Sequence, residues 1–311
     1  MFEILSLILP IFCIITLGYV LAWKTWINAQ QSKFLGMFVI KVALPCLLLV
    51  NISAQNFSAL LQYQFLLSYA IASASIFIII ILLYQKVFHR PLTQASVMAI
   101  GASMSNTGFI GSGLLFLFLG ERAAIYFGMA FLVENFVLFL MFLMCLEMSG
   151  QKIALHRAIG AGLVNVLKNP IIIALLLGAS FSALGLTLPT LIYNSLKPIG
   201  QTAAPLGLLV IGASLFGVSG FKKPHLIRDI CIISGAKLIL LPCFVYLLFL
   251  CFPDSTAEMI FAGVLLSSVS MVGIFAVFGQ QYDMQETPSI LLITTSLSII
   301  SLFISIHYLR I

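Results

Sequence analysis

Apolar residues fill this chain in blocks of about twenty, the length an α-helix needs to cross the roughly 30 Å hydrocarbon core of a bilayer. Ten such blocks can be traced, at residues 2–23, 34–52, 63–85, 93–119, 123–148, 169–185, 190–217, 230–252, 257–279 and 288–308. The polar connections between them are short, the longest being residues 149–168. The fourth block differs from the rest. Its centre reads GASMSNTGFIGSG at residues 101–113, so glycines, hydroxyl side chains and one asparagine interrupt the apolar run. Irregular backbone is tolerated at membrane depth only where protein or a water-lined cavity satisfies it. Gly-interrupted spans of this kind point to a transporter's substrate site.

Composition places the whole chain in the membrane. It is 62% hydrophobic and 8% charged, whereas soluble domains are nearer one quarter charged. The expectation is an all-α integral membrane protein in a lipid bilayer, with no soluble domain. The Met-Phe-Glu start lacks a basic leader and a small-residue cleavage site, so the first block reads as a retained helix. The formal charge of +6 comes from the connections and does not imply nucleic acid. Connections after odd-numbered blocks hold ten basic residues: Lys24, Lys33, Lys86, Arg90, Lys152, Arg157, Lys168, Lys222, Lys223 and Arg228. The opposite side holds two, Arg122 and Arg310. Basic residues gather on the cytoplasmic side, which predicts a multi-pass protein of the inner or plasma membrane with both termini outside.

A repeat is visible in the order of the landmarks. A shift of 160 positions lays Asn169-Pro170 on Leu9-Pro10, Gly178 on Gly18, Pro205 on Pro45 and Leu208-Leu209-Val210 on Leu48-Leu49-Val50. A shift of 162 lays Gly263 on Gly101, Ser267 on Ser105 and Gly273 on Gly111. The division falls at 1–150 and 151–311. Five-span copies must enter the membrane from opposite sides, which is the inverted repeat of many secondary transporters. The ninth block, with LLSSVSMVG at residues 265–273, then becomes the mate of the fourth.

SNTGFIG at residues 105–111, the KNP entry at Lys168–Pro170 and APLGLLVIGASL at residues 204–215 resemble the auxin efflux carrier family, which includes permeases for small organic acids. The resemblance extends over essentially the whole chain. It implies ten transmembrane helices in two inverted five-helix repeats. The fourth and ninth are broken and cross near the bilayer midplane, a transport domain moves against a scaffold, and two copies pair as a homodimer. The chain departs from the family pattern at Gly113 and Ser270, where proline is expected, and at Ile274, where asparagine often stands. Glycine leaves the backbone free to break. Serine does not force a break, so the second arm should be the more apolar and the first should do most of any polar binding.

Unwound helices expose amides that favour an anion and carbonyls that favour a cation. Asn106 offers two donors and an acceptor. Around it Ser103, Ser105, Thr107 and Gly108 from the first arm, with Ser267, Ser268 and Ser270 from the second, form the candidate substrate site. Gly101, Gly111, Gly113, Gly273, Pro45 and Pro205 are the candidate break or hinge positions. Small and hydroxylic residues also serve close helix packing, the better account of isolated Ser68, Ser73 and Ser75. Ionisable residues inside spans are functional candidates: Lys41, Glu134, Lys197 and Lys237. Lys41 reads equally as a neutraliser of an anionic substrate, a partner of Glu134, or a snorkelling lysine. Lys197 reads as snorkelling, and Lys237 as a scaffold tie or a functional group.

The six cysteines are scattered singly, and His89, His156, His225 and His307 have no partner at ligand spacing, so no metal site and no cofactor are expected. No ATPase or common hydrolase motif occurs. The leading expectation is a secondary carrier of small organic anions working by alternating access, with H+ and Na+ both open as coupling ions. The alternative is a sodium-coupled symporter of the bile-acid type. An intramembrane enzyme would need an apposed nucleophile and base, and a receptor would ordinarily bring a soluble output domain.

Overall fold

A computed structural model describes residues 2–54, 62–149, 168–214, 216, 225–284 and 286–309. The expected connection at 149–168 falls largely outside the described residues, as do Lys152, His156, Arg157, Lys222, Lys223 and Arg310. In chain order the helices are α1 (Phe2–Trp23), α2 (Ala29–Phe38), α3 (Leu44–Ser53), α4 (Tyr63–Lys86), α5 (Leu92–Ser103), α6 (Ser112–Leu119), α7 (Ala123–Val133) and α8 (Phe139–Met148). Then come α9 (Pro170–Ala183), α10 (Thr190–Gln201), α11 (Ala203–Ser214), α12 (Leu226–Gly235), α13 (Leu241–Leu250), α14 (Ala257–Ser268), α15 (Ile274–Gln281) and α16 (Thr287–Tyr308). Among the described residues there is no strand, only an isolated bridge between Ser105 and Met271. Among the described residues five helical stretches are long and apolar enough to span a membrane: Ala29–Ser53, Tyr63–Lys86, Thr107–Leu146, Leu226–Leu250 and Thr287–Tyr308. Shorter apolar helices accompany them at Cys13–Trp23, Pro170–Ala183 and Ala257–Ser268.

Proline explains two of the helix irregularities. Pro45 and Pro242 lack the N–H that would reach back four residues, and their rings crowd the carbonyl there. In both cases the preceding turn widens to π geometry, at Val39–Ala43 and Ala236–Leu240. The carbonyl stranded by Pro242 belongs to Leu238, and it accepts the Ser301 hydroxyl at 2.8 Å. Pro205 acts differently. The seventh apolar block, expected to be continuous, stops at Gln201 and restarts at Ala203. Pro205 therefore sits in the first turn of α11, where a missing donor costs nothing.

The chain divides into two compact units that each draw on both halves of the sequence. The first comprises Met1–Gln62, Thr107–Met129 and Leu167–Gly217; the second comprises Tyr63–Asn106, Ala130–Val166 and Val218–Ile311. In the first unit α1 packs along α11, and α3 packs on α9 and α10. Small residues let these helices approach closely, the usual device inside a bilayer. A Cβ added to Gly18 would run into the carbonyl of Leu209, and one on Gly212 into that of Ile15. Gly113 lies inside α6, where its missing side chain makes room for Leu208.

In the second unit α4 packs on α5 and α13, while α16 packs on α12 and α14. Phe65 stacks on Tyr69 and touches Phe249, and Gly101 faces the ring of Phe275, which an added Cβ would approach to 2.6 Å. Leu67, Ile71, Ile78 and Leu82 project from the other side of α4 and remain exposed. A helix apolar on all sides, half of it covered by protein, is what a membrane span looks like.

A buried polar centre anchors this unit. Asp229 is fully buried and accepts from Arg90 Nη2 at 2.7 Å, the Tyr84 hydroxyl at 3.1 Å, and Arg228 Nη2 at 2.9 Å. Arg90 also reaches Glu286 at 3.3 Å. Asp229→Ala should cost about 2–3 kcal/mol, because charge-assisted bonds at the low-exposure Arg90 and Tyr84 are lost together. Thermal unfolding in detergent checks this; an unchanged midpoint would remove Asp229 as an anchor.

Candidate functional site

The interruption of the fourth apolar block falls at Met104–Asn106. Helix α5 ends at Ser103, Met104 is extended (φ −100°, ψ 130°), and a π turn at Thr107–Gly111 begins the next helical run. The ninth block breaks as well, although no proline stands there: α14 ends at Ser268, Val269 is extended (φ −72°, ψ 161°), and α15 begins at Ile274. Each break strands backbone groups that lipid cannot satisfy. The two breaks satisfy one another. Asn106 N–H donates to the Ser270 carbonyl at 2.8 Å, and Val272 N–H donates to the Met104 carbonyl at 3.2 Å, so the extended segments run antiparallel.

Serines complete the helix ends. Ser103 donates to the Ala99 carbonyl at 2.8 Å, Ser267 to Val264 at 2.9 Å, and Ser268 to Val264 at 2.7 Å. The Ser268 and Ser305 hydroxyls are also hydrogen-bonded to each other at 2.7 Å. Ser103 and Ser268 are thus occupied with their own helices. The hinge candidates divide similarly. Gly101 is helical and serves packing, Gly111 closes the π turn, and Gly273 ends the second break. In the chain, the break begins three residues after Gly101.

Beside the paired breaks lies a buried polar cluster. Lys237 is fully buried in the π turn before α13, and its ammonium donates to Ser105 Oγ at 2.7 Å and to the Ser267 carbonyl at 2.7 Å. Glu134, also buried, accepts the Ser105 N–H at 3.2 Å and the Tyr69 hydroxyl at 3.0 Å. The Tyr69 oxygen lies 3.2 Å from Ser105 Oγ. Glu134 is also close enough to Lys237 to interact with it electrostatically. Ser105 therefore belongs to this charged cluster through both its backbone and its hydroxyl. Tyr69 carried no signal in the sequence; Glu134 and Lys237 did, as ionisable residues inside spans.

Two polar groups on the breaks stay unengaged. The Asn106 carboxamide is half-buried and makes no hydrogen bond among the described residues. Ser270 Oγ is fully buried and has no partner among them. Because Asn106 N–H binds the Ser270 carbonyl, these groups sit on directly apposed residues. The remaining site candidates, Thr107, Gly108 and Lys41, belong to the first unit. There Thr107 is buried, Gly108 has open space where a side chain would be, and the Gly108 carbonyl accepts from Ser112 at 2.8 Å. Lys41 is exposed in the π turn before α3. It lines a cavity of about 530 Å³ together with Lys33, Gly36, Ile40, Phe109 and Val210. Among the described residues no group of three His, Cys, Asp or Glu could hold a metal ion.

Residues 3–306 match the family model described as membrane transport protein. A protein of Rhizobium meliloti (strain 1021) named "Putative malonate transporter" is 26% identical over 302 residues, covering 96% of this chain and 93% of its own length. The mouse "Lysosomal cholesterol signaling protein" is 27% identical over 247 residues, which is 76% of this chain but only 28% of that protein. The paired helix breaks, the apolar spans and the match along nearly the full length belong together: the chain is a member of the membrane transport protein family of auxin efflux carriers, a multi-pass transporter and not an enzyme.

Proposed function

We propose that this protein is a secondary carrier of small organic anions that works by alternating access. The carrying observation is the pair of unengaged donors, the Asn106 carboxamide and the Ser270 hydroxyl, on two helix breaks held together by their own backbones. A carboxylate is the ligand such donors suit, since hydrogen bonds to a charged acceptor are the stronger kind. The name of the Rhizobium relative supports a short dicarboxylate of the malonate class. In this reading Thr107, Gly108 and Lys41 remain candidate binding residues, and the carrier alternates between inward and outward access.

The same reading takes the chain as ten transmembrane helices in two inverted repeats, 1–150 and 151–311, broken and crossing at the fourth and ninth. It places both termini outside the cell membrane and pairs two copies as a dimer. The two interruptions in the expected mate blocks support the repeat.

Uptake of radiolabelled malonate into proteoliposomes tests the proposal. Wild-type protein should accumulate it. Asn106→Ala should lower initial uptake roughly 10–100-fold, the equivalent of about 1.5–3 kcal/mol for one hydrogen bond to a charged group, while thermal unfolding in detergent stays unchanged. Unaltered uptake would remove Asn106 from the site. Failure of wild-type protein to move any mono- or dicarboxylate would remove the anion-carrier reading.

A further inference from the structure

The carboxyl ends of two half-helices, α5 and α14, meet at the paired breaks. Each carries the negative pole of a helix dipole. In broken-helix carriers, such ends and the carbonyls beside them are where a coupling cation is coordinated. Here that position is already filled. The Lys237 ammonium takes a helix-end carbonyl, Ser267 O, and a hydroxyl on the opposite break, Ser105 Oγ, both at 2.7 Å. Neutral carbonyl and hydroxyl oxygens are the ligand set of an alkali cation, and hard monovalent ions and ammonium groups compete for it. The group arrives on a helix from outside the breaks, in a π turn that Pro242 imposes. Glu134 supplies the nearby countercharge, itself held by Tyr69 and the Ser105 amide.

We propose that Lys237 is a tethered coupling cation: its ammonium occupies the cation position of the crossover, so the carrier runs without sodium. The proposal rests on the carrier reading and extends it to the coupling ion. A lysine that served only as a scaffold tie would have no bearing on ion dependence, and this separates the two roles. Removing the side chain back to Cβ frees Ser105 Oγ and Ser267 O, oxygens of the type a sodium ion takes, with the Glu134 carboxylate nearby on the Ser105 amide as countercharge. A methionine fills the same space and leaves no room.

The experiment compares wild type, Lys237→Ala and Lys237→Met in proteoliposomes, with sodium chloride replaced by choline chloride at equal ionic strength. Wild-type uptake should be the same in both salts, within twofold. Lys237→Ala should lose uptake at least tenfold in choline and regain a substantial part of it in sodium; Lys237→Met should lose it in both. A second readout needs no substrate. The unfolding midpoint of Lys237→Ala in detergent should rise in sodium over choline, as ligand binding to the folded state requires, while those of wild type and Lys237→Met should not move. Sodium-dependent uptake by wild-type protein overturns the proposal. So does a folded Lys237→Ala protein whose midpoint ignores sodium. If wild-type protein moves no carboxylate, the carrier reading fails, and the unfolding comparison still decides whether the position binds a cation.

Discussion

Replacing Glu134 by leucine is expected to destabilise the protein by about 3–5 kcal/mol, the usual cost of removing one partner from a buried ionic pair. The mechanism is specific. Lys237 is fully buried and would keep its neutral oxygens but lose the nearby carboxylate, and the Tyr69 hydroxyl and Ser105 N–H would lose an acceptor. A buried ammonium without countercharge is far costlier than a buried neutral pair. The double variant Glu134→Leu/Lys237→Met should therefore be much more stable than the sum of its parts. Groups sharing one network show coupling energies of about 0.5–3 kcal/mol. Thermal unfolding of the four proteins in one detergent gives the cycle. Additive losses would show that the two charges do not act on each other.

The second large effect is expected at Gly212, from packing alone. Gly212→Val should abolish the folded form of the first unit, with a loss above about 4 kcal/mol, the range reserved for the most damaging substitutions. An added Cβ would collide with the Ile15 carbonyl on α1, and Gly18 makes the reciprocal approach to Leu209 on α11. Backbone cannot rotate away as a flexible side chain does, so the helices must separate along their contact. Gly235→Ala is the control. That glycine is also helical, but an added Cβ meets nothing within 4 Å. Yield of monodisperse protein after detergent extraction distinguishes them: near-complete loss for Gly212→Val, little change for Gly235→Ala. Equal yields would contradict the close approach.

How much was legible in the sequence follows from what each feature depends on. Apolar runs reveal helices because a chain in lipid must bond its backbone internally, and the polar interruption at residues 101–113 stood out against that background. Its location was readable; its detail was not. The break begins at Met104, a residue with no breaking tendency of its own, while Gly101 and Gly113 remained helical. The ninth block breaks at Val269 without the proline that the family pattern places there. In both cases the alternative backbone partner lies on a segment some 166 positions away, as Ser105 and Met271 show, and local propensity carries no trace of such a partner.

The charges divide the same way. Sequence alone determined that Glu134 and Lys237 were exceptional, since ionisable groups inside spans are costly and rare. It also singled out Asn106, Ser105 and Ser270 by their place in the interruptions. Tertiary structure decided their roles. It joined Glu134, Tyr69, Ser105 and Lys237 into one buried cluster from four separate stretches of chain, and it committed Ser103 and Ser268 to their own helix ends. It left the Asn106 carboxamide and Ser270 hydroxyl unengaged. Composition and periodicity fix how much polarity a span carries, because solvation is a property of each residue; which oxygen meets which proton is a property of distance, and distance between remote residues exists only after the chain has folded.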